Sequence, residues 1–173
     1  ANFFHCISHE IFKIDFYGGS ALTDNIDVPT NDNVESIPNN IPVTYVPSRN
    51  IVFLSFAAGY AECLDIDNIF IGVNSIDYSG YPDCRKTFID DFENLINKST
   101  KKGIEGNKFK IFTPLINLTK KEIIKLGNKN GVDFSMTSSC YNPSLKKSCG
   151  FCDSCLLRKK GFEEAKLIDP LDN

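Results

Sequence analysis

The chain has 173 residues, 42% of them hydrophobic and 24% charged, with a formal net charge of −3. That is enough for one domain with a sizeable core, and the acidic balance argues against a broad phosphate-binding face or a nucleic-acid tail. No apolar run approaches the length of a membrane span and nothing at the start resembles a signal peptide, so the expectation is a cytoplasmic protein with no membrane and no direct nucleic-acid partner.

In chain order, "IFKIDF" (residues 11–16) alternates apolar and polar side chains as a strand does. "YGGSALTDNIDVPTNDNVESIPNN" follows, rich in Gly, Pro, Asn and Asp, and reads as a long loop that is mobile around 31–40. "IPVTYVPSRN" is a short extended piece ending in a turn. "IVFLSFAAGYAECL" (51–64) is apolar on nearly all sides and reads as a buried helix, with Cys63 a small core residue. "NIFIGV" (68–73) is a short apolar run with β-branched residues, a buried strand. "RKTFIDDFENLINKS" places Phe88, Phe92, Leu95 and Ile96 at helical spacing, an amphipathic helix. "KFKIFTPL" (108–115) is a further strand stopped by Pro114. "TKKEIIKLGNKNG" opens with Thr119 and carries Glu122 three residues on, a capping box, and Gly131 suits a C-terminal stop. Alternation of strand and helix predicts an α/β domain with a mainly parallel sheet over residues 1–135, followed by a C-terminal lobe over 136–173.

"CYNPSLKKSCGFCDSC" places four of the seven cysteines within sixteen residues. Cys140, Cys149, Cys152 and Cys155 have the spacing C-x8-C-x2-C-x2-C, and each C-x2-C turn brings two thiolates within reach of one ion. Gly150 supplies backbone freedom at the tight turn. Four thiolates close the shell of a structural zinc, one per chain. An iron–sulfur cluster and a redox or catalytic cysteine are the alternatives.

Two polar stretches carry candidate chemistry. "GVNSIDYSGYPDCR" follows a buried strand directly, where ligands bind in open α/β sheets, and offers Asn74, Asp77, Tyr78, Ser79, Tyr81, Asp83, Cys84 and Arg85 to a flat polar molecule. The alternative is a solvated loop with an Asx turn. In "TYVPSRN", Arg49 is a fixed cation for a phosphate or carboxylate; the alternative is helix capping by Ser48 or Asn50.

"TYVPSRN", "FIGVNSIDYSGYPDCR" and "SCYNP…CGFCDSCLLRKKGFEEA" together resemble the 7-cyano-7-deazaguanine synthase family, with lesser matches at "GGSALTD" and "TPLINLTKKEIIKLG". The resemblance covers nearly the whole chain. It implies the adenine-nucleotide α-hydrolase-like, Rossmann-like fold of the PP-loop ATP pyrophosphatases, a parallel sheet with helices on both faces. The implied activity is a carbon–nitrogen ligase that converts 7-carboxy-7-deazaguanine, ammonia and ATP to the nitrile, a precursor of queuosine in tRNA, through an adenylated intermediate. Arg49, Asp77 and Asp83 are then the expected catalytic residues. Asn74, Asp77, Tyr78, Tyr81, Asp83 and Arg85 line the substrate pocket. Tyr45, Arg49 and Asn50 lie near ATP, the co-substrate, and the four clustered cysteines match the family's zinc ligands. A homodimer is a candidate assembly.

The family's SGGxDS phosphate loop has no counterpart in these 173 residues, and the first residue is Ala1. The expectation is a chain that begins after the first strand, phosphate loop and helix. It turns over no ATP alone and leaves apolar faces of "NIFIGV" and of the 51–64 helix uncovered. Two other readings are an inactive remnant that keeps the zinc lobe, and a zinc-knuckle module whose basic patch is Lys146, Lys147, Arg158, Lys159 and Lys160.

Overall fold

The computed structural model describes residues 2–14, 17–74, 80–143 and 147–171. Its regular elements are α1 (Arg49–Cys63), β1 (Asn68–Phe70), α2 (Lys86–Ser99), α3 (Lys101–Ile104), β2 (Lys110–Phe112), α4 (Lys120–Lys129) and α5 (Asp153–Ala165), with short 3-10 turns between them. No helix among the described residues is long and apolar enough to cross a membrane.

β1 and β2 pair in parallel with Ile69 opposite Ile111, as the strand–helix–strand order predicts. Both isoleucines are buried, because every second strand residue faces the same way. Their neighbours Phe70 and Phe112 point to the other face and stack at 4.8 Å with exposures of 68% and 37%. Helix α2 turns Ile89, Phe92 and Ile96 inward while Leu95 faces solvent. Leu54, Ala58 and Ala61 of α1 meet them over the sheet, and Phe109 fills the middle at 1% exposure.

Helix α1 differs from the sequence expectation. Only Asn50, Leu54, Ala58 and Ala61 are buried on it, while Ile51, Phe53, Phe56 and Cys63 are exposed. Its apolar residues surround the axis, but only one stripe finds a packing partner among the described residues. Cys63 is therefore a surface thiol and not a core residue.

The expected strand at 11–16 is not formed in its described part. Residues 11–14 are irregular, and Phe12 stacks on Phe56 of α1 at 4.8 Å. Residues 15 and 16 lie outside the described residues.

The second, smaller half joins α4 to α5. Thr119 caps α4 by accepting from the Glu122 N–H, and the Glu122 carboxylate accepts from Thr119 N in return, the predicted capping box. Gly131 takes φ +73° at the predicted stop. Ile124, Phe162 and Ala165 form the core with Phe134 and Leu167 against it, so it draws on sequence before residue 136. The helices approach so closely at Gly161 that a Cβ there would lie 2.8 Å from the Cβ of Lys120. Arg158 binds this half together. It donates to Asp169 at 2.5 and 2.7 Å, to Thr137 Oγ1 at 2.8 Å and to the Phe134 carbonyl at 3.3 Å.

Candidate active site and metal centre

A cavity of about 390 Å³ opens between the two halves. Residues 71–74, which leave the C-terminal end of β1, form one wall, the position where open α/β sheets bind ligands. Three helices begin at the other walls: α1 brings Arg49, Asn50 and Phe53, α4 brings Lys120, and α5 brings Asp153, Ser154 and Leu157. Unpaired N–H groups and the aligned peptide dipoles make such ends favourable to anions. Among the described residues, neither Arg49 nor Lys120 pairs with a carboxylate. The cavity thus holds two cations without a paired carboxylate among the described residues, at helix starts that already carry Asp83, Glu122 and Asp153, and Arg49 and Lys120 are its groups suited to phosphate or carboxylate.

Aromatic hydroxyls complete the wall. Tyr81 and Thr44 share a hydrogen bond of 3.0 Å, and the Tyr81 and Tyr141 hydroxyls meet at 3.3 Å. The Arg49 guanidinium stands 5.9 Å from the centre of the Tyr81 ring, and Tyr45 lies against the same ring at 6.1 Å between centroids. Burial, helped by the Tyr81 contact, pushes the Tyr141 hydroxyl well above its ordinary value, so it acts as a neutral donor or acceptor. Asn74 gives both amide hydrogens away, to the Leu115 carbonyl at 3.1 Å and the Leu118 carbonyl at 2.5 Å. Those acceptors fix its amide orientation and leave Oδ1 without a partner among the described residues.

Asp83 is placed differently from its expected neighbours. It is 5% exposed, and its Oδ2 accepts from the Asn50 N–H at 3.0 Å. Ser48, in a left-handed conformation, makes no side-chain cap, so Asp83 satisfies an orphan donor of α1 from 33 residues along the chain. The Asn50 side chain returns to the Asp83 carbonyl at 3.0 Å and to Cys84 Sγ at 3.3 Å. Cys84 lines the cavity but is 6% exposed, and burial followed by the Asp83 charge pushes its thiol up. A thiol held neutral is a poor nucleophile. Arg85 is exposed at the start of α2. Neither Asp83 nor Arg85 is among the described residues that line the cavity. Asp77, Tyr78 and Ser79 lie outside the described residues. The cavity therefore gathers Arg49, Asn50, Asn74 and Tyr81 from the expected set. It adds Lys120, Tyr141 and Asp153, which sequence reasoning missed because they come from distant segments.

The four clustered cysteines meet at the mouth of the smaller half. Their sulfurs all lie within 4.8 Å of one another, with Cys149 and Cys155 at 3.9 Å. Metal–sulfur bonds of about 2.3 Å give a tetrahedral edge of about 3.8 Å, so the set fits one tetrahedral ion. All seven cysteines are free, and Gly150 turns the chain between two of the four at φ +82°. Backbone N–H groups already point at the sulfurs, Cys149 N to Cys140 Sγ at 3.2 Å and Cys152 N to Cys149 Sγ at 3.4 Å. Burial opposes ionisation of Cys149, but N–H donors from Phe151 and Cys152 outweigh it and bring the thiol down to about 7.

This cluster also shapes the cavity. Tyr141 directly follows Cys140, and Asp153 and Ser154 lie between Cys152 and Cys155. The long loop docks here too. Asn31 donates its N–H to the Phe151 carbonyl at 2.9 Å and its side-chain amide to Asp153 at 2.7 Å, so residue 31 is held where mobility is expected. The basic patch does not form as read. Arg158 is turned inward onto Asp169, Lys160 lies 3.8 Å from Glu35, and Lys146 is outside the described residues.

Fold and site together define a parallel α/β domain with a lobe whose four cysteines could hold a metal ion, and a cavity between the two. The chain belongs to the family described as queuosine biosynthesis protein QueC, whose model matches residues 4–166. Relatives named 7-cyano-7-deazaguanine synthase agree. The one from Acetivibrio thermocellus is 55% identical over 171 residues, covering 98% of this chain and 75% of the relative. The one from Pelobacter propionicus is 58% identical over 169 residues, 95% of this chain and 73% of the relative. A third, from Coxiella burnetii, is 55% identical over 171 residues, 96% and 74%.

Proposed function

We propose that this chain carries out the reaction for which those relatives are named, formation of 7-cyano-7-deazaguanine in queuosine biosynthesis. The substrates are 7-carboxy-7-deazaguanine, ammonia and ATP, on the PP-loop pyrophosphatase fold. The observation that carries the reading is the cavity itself. It sits at the end of a parallel strand, with Arg49 and Lys120 unpaired by a carboxylate among the described residues and tyrosine rings for a flat heterocycle.

A carboxylate is a poor electrophile. Transfer of AMP from ATP onto it, with loss of pyrophosphate, supplies a leaving group. Ammonia then displaces AMP to give the amide, and a second activation of the amide oxygen allows dehydration to the nitrile. Negative charge gathers on phosphate and carboxylate throughout. Arg49 and Lys120 stabilise it more strongly in a recessed cavity than in bulk water. Tyr81 supplies a stacking face, and Tyr45 and Asn50 stand on the nucleotide side. Cys84 takes no covalent role, since adenylation already provides the activated species.

We assign zinc to Cys140, Cys149, Cys152 and Cys155. A closed four-thiolate shell has no open position, so the ion's contribution is to hold the lobe folded. The inward turn of Arg158 weighs against a nucleic-acid-binding knuckle.

The test is pyrophosphate release from ATP by the protein, with mass detection of the nitrile. Release that requires 7-carboxy-7-deazaguanine, and that continues beyond the first turnover only with ammonium, is expected. Release indifferent to the deazaguanine contradicts the reading.

A further inference from the structure

We propose that Asp153 reads the hydrogen-bond donor edge of the deazaguanine, and that Asn31 is a positioning residue that holds it ready. The proposal rests on the substrate reading above.

Asp153 is the sole acid among the described residues lining the cavity, in a field otherwise set by two cations and three helix starts. It is 8% exposed, and its Oδ1 accepts from Asn31 Nδ2 at 2.7 Å. Oδ2 has no protein donor among the described residues. Oδ2 is not fully enclosed, so a ligand in the cavity that brings N–H groups meets an acceptor with spare capacity. A guanine-type ring carries adjacent donors on one edge, the ring N1–H and the exocyclic 2-amino group. An ionised carboxylate only accepts, so it matches that edge and rejects rings that present a lone pair there. Asn74 Oδ1, without a partner among the described residues, is a second acceptor in the same cavity. The ligand's carboxylate and the nucleotide phosphates are then left to Arg49 and Lys120.

Asp83, the acceptor expected from sequence, is committed through Oδ2 to the first turn of α1. Asn31 is clamped at two points on either side of Cys152, by Phe151 and by Asp153. That fixes the Asp153 rotamer, and it gives a role to the long loop that the rest of the site does not require.

Calorimetric titration of the full chain with 7-carboxy-7-deazaguanine, and with its analogue lacking the 2-amino group, separates the outcomes. The unaltered chain is expected to prefer the 2-amino compound by about tenfold or more, the size of one hydrogen bond to a charged group. Asp153→Ala is expected to erase the preference by weakening the 2-amino compound alone. Asp153→Asn, which keeps the volume, is expected to reduce it and carries the same test where the alanine variant does not fold. Asn31→Ala is expected to lower the ratio with metal content unchanged, whereas a purely structural role would weaken both compounds equally. Three results overturn the proposal: no preference in the unaltered chain, a preference that survives in the Asp153 variants, or an equal loss of both compounds. An unaltered chain that binds neither compound overturns the substrate reading itself.

Discussion

Among the described residues, twelve buried side chains interlock where α1 and α2 cover the sheet, but only three do so between α4 and α5. The larger half is held by apolar burial spread over many contacts. The smaller half has too little core for that, and relies on a buried Arg158–Asp169 pair and on four convergent sulfurs. Stability that is spread out tolerates pH and metal changes, whereas stability concentrated in charges and a metal site does not. The cavity lies between the two, so ligand binding inherits the sensitivity of the weaker partner.

The largest single-residue effect is expected at Arg158. Replacing it with Leu leaves Asp169, whose side chain is 3% exposed, without its cation and with the Leu171 N–H as its remaining donor among the described residues, at a cost of about 3–5 kcal/mol in urea unfolding. The pair also gives this half a distinctive pH response. Burial pushes the Asp169 carboxyl up, but the Arg158 hydrogen bonds and the Leu171 N–H outweigh it and hold the group below its ordinary 3.8. The folded value is depressed, so the contribution is complete above pH 3.8 and is lost as pH falls through the lowered value. Unfolding of the Arg158→Leu variant should lack that acid-dependent component.

Leu54→Ala, in the larger half, empties a site that is 2% exposed and should cost about 2–5 kcal/mol, with no dependence on pH or chelator. A chelator-dependent loss at Leu54 would break the contrast between the halves. Thr119→Ala removes one side of the capping box and should cost about 1 kcal/mol, felt in α4 and not in α2 by hydrogen exchange.

Much of this arrangement is written locally and is legible without coordinates. The capping box at Thr119 and Glu122, the amphipathic period of α2 and the cysteine spacing each depend on residues a few positions apart. What the sequence hides are the relations across the chain. The α1 start is capped by Asp83, Asn31 reaches 122 residues to Asp153, and the cavity takes Lys120 and Tyr141 from segments whose motifs, a capping box and a cysteine cluster, point to other roles. Helix α5 gives little periodic signal. Arg158 faces inward onto Asp169 while Lys159 and Lys160 directly after it stay exposed, so charge alone does not mark its outer face. The "IFKIDF" alternation predicts a strand, but hydrogen bonding to a neighbour makes a strand, and residues 11–14 lie against α1 instead.

The central claim is that the cysteine lobe builds a wall of the ligand cavity, through Tyr141, Asp153, Ser154 and Leu157. Its most direct test is the affinity for 7-carboxy-7-deazaguanine before and after removal of the metal by a chelator, with metal content and helix content followed in parallel. The account predicts one metal per chain. On its removal, binding falls at least tenfold while the α1–α2 half stays folded. Undiminished binding by metal-free protein would contradict it.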